Sequence, residues 1–113
     1  MEELVDKLRE KDLDRAKREK FRRRAYKVRV RGTVWSLKFY DVAWSLQCPV
    51  LGIDLDYYSD KQSDNSPMLT MLDPAKGYIK DNVIVISWRA HRLTADGTSL
   101  EHRQIATFLE KYL

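Results

Sequence analysis

The stretch SPMLTMLDPAKGYIKDNVIVISWRAHRL, from Ser66 to Leu93, concentrates groups able to do chemistry. Asp73 offers a carboxylate and His91 an imidazole, a pairing that can accept a proton from water or ligate a divalent cation. His102 follows further on. Lys76, Lys80, Arg89 and Arg92 surround these groups with positive charge, and Arg22, Arg23, Arg24, Lys27, Arg29 and Arg31 add a basic strip near the N-terminus. Together the basic groups suit contact with the phosphates of a polyanion. Each group also has a plainer role. Asp73 suits an Asx-turn ahead of Pro74, the histidines suit helix surfaces, and a charged arm can simply solubilise.

Charge distribution favours a polyanionic partner. Residues 1–31 hold 13 Lys/Arg and 7 Asp/Glu, a net of +6, whereas residues 32–113 hold 8 and 10, a net of −2. A block of one sign attracts polyanions through its field and by counterion release. The single cysteine, Cys48, excludes an internal disulfide and a Cys-rich zinc knuckle, and suits a reducing compartment. No apolar run approaches the ~20 residues of a membrane span, and the N-terminus has no apolar signal core. These features read as a cytoplasmic protein without membrane contact. At 113 residues the chain fits one small domain.

The elements that must position these groups are partly legible. Residues 2–24 lack Gly and Pro and carry a thin apolar stripe at Leu4, Leu8, Leu13, Ala16 and Phe21, so a helix is expected. Tyr26, Val28 and Val30 alternate with Lys27, Arg29 and Arg31, which predicts an extended segment ended by Gly32. Val34–Leu37 reads as extended, and a short helix from about Ser36 would gather Phe39, Tyr40, Ala43 and Trp44 into the core. Pro49 and Gly52 mark a turn, and Ile53, Leu55 and Tyr57 predict a short strand. Met68–Leu72 and Val83–Ile86 predict two strands around a turn-rich loop containing Pro74 and Gly77. Ser87 is an N-cap for a helix from Trp88 to about Ala95. Thr98 and Glu101 form a capping box for a last helix. There Leu100, Ile105, Phe108, Leu109 and Tyr112 make an apolar face expected to dock on the core.

The segments CPVLGIDLDYYS, DNSPMLTMLDPAKGYIKDNVIVISWRAHRL and ADGTSLEHRQIA resemble a phage-associated branch of the HNH, or His-metal finger, endonucleases over about Cys48 to Leu109. The resemblance implies a ββα-metal-type hairpin plus helix; with the long basic N-terminal helical arm over 1–31 and the C-terminal helix read from the pattern, the expected fold is α+β, with the HNH-like domain over 32–113. It also implies a divalent metal, Mg²⁺ or Mn²⁺, in an active member, and cleavage of DNA. Residue by residue, Asn82 matches the family's central Asn, which ties the loop to the hairpin. Gly77 and Tyr78 match its loop turn, and His91 matches its helix-borne metal ligand.

The match fails where the chemistry is most demanding. This branch usually reads S-L-D-R-I-D on the first strand, and here Thr70 stands at the metal-binding Asp and Met71 at the neighbouring catalytic or phosphate-contacting residue. A hydroxyl and a thioether are poor partners for a hard cation, and neither is a base at neutral pH. Three readings follow. One is a duplex-DNA-binding protein of this descent with lost or weak hydrolysis. The second is an active nuclease with a rearranged set of Asp73, His91 and His102. The third is a module that binds and modulates a host protein, in the cytoplasm of an infected cell.

Overall fold

The structure, a computed structural model, describes residues 2–113. It is α+β: helix α1 (Glu2–Val30), strand β1 (Pro67–Met71), strand β2 (Val83–Ser87), helix α2 (Trp88–Thr94) and helix α3 (Ser99–Tyr112). The strands pair antiparallel with Thr70 opposite Ile84 and Leu69 opposite Val85. Helix α2 follows β2 without a gap and packs on the hairpin. The radius of gyration is 16.4 Å, against about 13 Å for a compact chain of this length. The excess comes from the N-terminal turns of α1 and from α3, whose side chains are mostly exposed.

Helix α1 runs through the segment expected to be extended. Its C-terminal half follows a helical period: Phe21, Ala25 and Val28 turn inward and pack on the core. The period-two pattern fails because Val28 is 2% exposed while Tyr26 and Val30 stand at 72% and 68%. The end is set by Gly32 at φ +76. The Gly32 N–H donates to Arg29 O at 3.0 Å and the Thr33 N–H to Val28 O at 3.2 Å. This pairing closes the helix with a left-handed residue that glycine adopts at little cost.

Residues 33–66 contain no full strand or α-helix. The expected short helix is a single 3-10 turn, Phe39–Asp41. Its aromatics still gather: Phe21 lies 5.3 Å from Trp35, 5.8 Å from Phe39 and 6.0 Å from Trp44, between ring centroids. Tyr40 is the exception, 82% exposed and accepting from Arg18. The expected strand at Ile53–Tyr57 is one bridge, Gln47 with Asp54. The turn ahead of it, marked by Pro49 and Gly52, does form, with the Gly52 N–H donating to Cys48 O, the Cys48 N–H to Ile53 O and the Leu55 N–H to Leu46 O. Leu55 and Tyr57 are nonetheless buried, whereas Ile53 is exposed, so two of the three apolar positions reach the core while the pairing stops at that bridge.

Helix α3 has the expected capping box, with Thr98 accepting from the Glu101 N–H and Glu101 from the Thr98 N–H. The expected docking does not occur. Leu100, Ile105, Phe108, Leu109 and Tyr112 are all exposed, from 43% to 64%. An amphipathic pattern specifies an apolar stripe and leaves its partner unspecified. Phe108→Ala should therefore change unfolding free energy by less than about 0.5 kcal/mol in a denaturant titration. A buried Phe would cost about 3–5 kcal/mol.

Candidate functional site

The hairpin and α2 bring Thr70 and His91 together. Ser87 ends β2 and caps α2, its hydroxyl accepting from the Ala90 N–H at 3.0 Å. The Trp88 and Arg89 N–H groups donate to Ser66 O and Asp64 O, so the first turn of α2 is satisfied from two sides. Ala90 is fully buried against the hairpin, which turns the next residue, His91, toward β1. Its Nδ1 stands 3.5 Å from Thr70 Oγ1, at the outer limit of a hydrogen bond. The imidazole stacks on Trp88 at 5.5 Å.

Burial first, and the Arg24 charge second, hold His91 below its ordinary value of 6.5. At neutral pH it is therefore an uncharged imidazole. The unfolded chain, with the higher value, binds more protons as pH falls below neutrality. The stability linked to His91 is complete above the ordinary imidazole range and is lost as pH falls through the depressed folded value. Melting temperature should drop between pH 7 and pH 5, and His91→Gln should remove part of that drop. An unchanged pH profile in the variant would contradict the assigned environment.

Met71 does not enter the site. Strand alternation puts it on the same side as Leu69, and it packs against the hydrophobic core. Asp73 is occupied by the loop: its carboxylate accepts from the Ala75 N–H at 3.0 Å, an Asx-turn. His102 lies on α3 beside the Gly97 turn, and its Nε2 is enclosed without a hydrogen-bond partner. Among the described residues no three His, Cys, Asp or Glu side chains converge on a point that could hold a metal. Asp73, His91 and His102 are thus not brought together. One imidazole and one neutral hydroxyl do not fit Mg²⁺ or Mn²⁺, which demand hard, mostly anionic oxygen ligands.

The loop joining the strands is tightly built. Asn82 is 5% exposed. Its side-chain oxygen accepts from the Asp73 N–H at 3.0 Å, and its amide nitrogen donates to Asp73 O at 2.9 Å and Gly77 O at 2.7 Å. Tyr78 bridges to Trp35 in parallel, stacks on its ring at 5.3 Å and accepts from Arg24 at 2.6 Å through its hydroxyl. Gly77 has φ +80, and a Cβ there would lie 2.8 Å from Val34 Cβ. Gly77→Ala should cost about 2–4 kcal/mol in a thermal melt, combining left-handed strain with overpacking.

The basic residues divide into paired and unpaired sets. Arg22 and Arg23 both bind Glu19, and Arg23 also reaches Asp60. Arg92 binds Asp64 and lies over Trp88. Lys27, Arg29, Arg31, Lys76, Lys80 and Arg89 are exposed, with no ion-pair partner among the described residues. Reading the sequence overlooked Lys20 and Lys61. Both line a cleft of about 180 Å³ between α1 and β1, together with Arg23, Arg24 and Lys27. Lys20 shares the helical spacing of Arg23, Arg24 and Lys27, a signal present in the sequence. Nothing local marks Lys61.

No described helix is long and apolar enough to cross a membrane. Compared with models of known protein families, with curated proteins and with solved structures, the chain matches none.

Proposed function

We propose that this chain binds duplex DNA through its phosphate backbone and hydrolyses it weakly or not at all, on a ββα hairpin-and-helix scaffold like that of the His-metal finger nucleases. The observation that carries the reading is the pairing of Thr70 with His91, where hydrolysis would need an anionic metal ligand. The imidazole is neutral and close to a hydroxyl, so it can accept one hydrogen bond or proton, but no carboxylate beside it can hold the divalent ion that metal-assisted cleavage uses. Lys27, Arg29, Arg31, Lys76, Lys80 and Arg89 are exposed and without ion-pair partners among the described residues, so each is free to meet a phosphate. Such contacts hold a duplex without reading its sequence.

Titrating a fluorescent duplex at about 50 mM salt should give saturable binding that is indifferent to sequence. A flat titration would overturn the reading. The open apolar face of α3 favours a second one, a protein-binding module on the same scaffold. A salt-insensitive protein complex that Phe108→Asp abolishes, alongside a flat duplex titration, would select it.

A further inference from the structure

We propose that the cleft between α1 and β1 is a seat for a single phosphoryl oxyanion, either a backbone phosphate of a nucleic acid or a free phosphate. The backbone source rests on the duplex-binding reading, whereas the seat itself does not. Lys20, Arg23, Arg24 and Lys27 lie at i, i+3, i+4 and i+7, one face of α1. Lys61 meets them from the loop ahead of β1, and the only acid on the lining, among the described residues, is Asp60.

That acid is already engaged by Arg23 at 3.4 Å. Arg24 spends one Nη on the Tyr78 hydroxyl, and its Nε is enclosed with no hydrogen-bond partner. Lys20 donates to a neutral carbonyl, Ser59 O, at 2.7 Å. Burial, and then the neighbouring charge of Arg23, hold its ammonium below the ordinary lysine range. Lys27 and Lys61 have no carboxylate partner among the described residues. Glu19, outside the lining, also pairs with Arg23 at 3.0 Å, so of the five cations on the cleft Lys20, Arg24, Lys27 and Lys61 are left without an ion-pair partner among the described residues. A tetrahedral oxyanion supplies both the missing charge and several acceptors at once, the geometry that guanidinium and ammonium groups favour. Trp44, Pro67, Met68 and Leu69 give the wall an apolar side, and Gln62 and Ser66 add neutral polar groups to it.

The test is the melting temperature of the full chain in inorganic phosphate against chloride at matched ionic strength, joined to binding of a fluorescent DNA duplex. Phosphate should raise the melting temperature in a saturable way. Lys27→Gln with Lys61→Gln should weaken the apparent phosphate affinity at least tenfold. Lys38→Gln with Lys111→Gln, which removes equal charge elsewhere, should leave the phosphate response intact. If phosphate also competes the duplex away, a backbone phosphate is the natural occupant. If phosphate binds through the cleft while duplex affinity ignores the cleft variant, the occupant is a free phosphate. A cleft-dependent phosphate response with no duplex binding at all would keep the seat and remove the duplex reading. No response to phosphate beyond chloride, or an equal response in the cleft variant, overturns the proposal, whatever the duplex does.

Discussion

Asn82→Ala should lower the unfolding free energy by about 3–5 kcal/mol and the melting temperature by roughly 15 °C. The side chain makes three hydrogen bonds, one accepted from Asp73 N–H and two donated to Asp73 O and Gly77 O. Alanine leaves these main-chain groups without partners at a position where water has little access. A missing partner at a buried polar group costs the full desolvation of that group, which exceeds the net worth of an ordinary hydrogen bond. Asn82→Asp should do no better. It keeps the acceptor but loses both donations and buries a charge. Circular dichroism melts of both variants check this. A shift below about 3 °C, on the order of 1 kcal/mol or less, would mean that the loop is held by Tyr78 and Trp35 instead.

The second large effect concerns salt. Replacing Lys27, Arg29 and Arg31 together with Gln should flatten the dependence of log affinity for a duplex on log salt by up to about 2.7, at about 0.9 for each phosphate left without its cation. Replacing Arg22 and Arg23 should change it far less, although the sequence places them in the same basic strip. Both are committed to Glu19, and Arg23 to Asp60 as well, so fewer of their donors are free for phosphate. Anisotropy titrations across a salt series separate the two. Equal slopes for the two variants would mean that the Glu19 pairs dissolve on binding, as exposed ion pairs readily can.

The hairpin was legible because each signal was local. The β-branched run Val83–Ile86, the turn residues Pro74 and Gly77, and the Ser87 cap all specify geometry within a few residues of themselves. The capping box of α3 was legible for the same reason. The errors arose where tertiary contacts decided the outcome. Tyr26, Val28 and Val30 fit a strand by alternation, but Val28 falls in step with Phe21 and Ala25, and that helical face won the core. Ile53, Leu55 and Tyr57 alternate, but their pairing stops at the bridge of Gln47 with Asp54 and only Leu55 and Tyr57 are buried, so no strand forms. The stripe on α3 announced a partner that the other described residues do not provide.

The site divides in the same way. Thr70 and His91 meet because a short hairpin and the helix directly after it leave little freedom in how they pack. Met71 shows the limit: adjacent to Thr70 in sequence, it faces the core. Introducing a metal ligand therefore calls for Thr70→Asp alone, because Met71→Arg would press a charge against apolar packing. The cleft was invisible beforehand because Lys61 and α1 are distant in sequence and meet only in the fold.

The most direct measurement is nicking of supercoiled plasmid by the purified chain in Mn²⁺ and in Mg²⁺, with Thr70→Asp run beside it. The wild-type chain should leave the plasmid intact at protein concentrations that retard it on a gel. Metal-dependent nicking by the wild type, abolished by His91→Ala, would show that a neutral hydroxyl and one imidazole suffice, and would contradict the account.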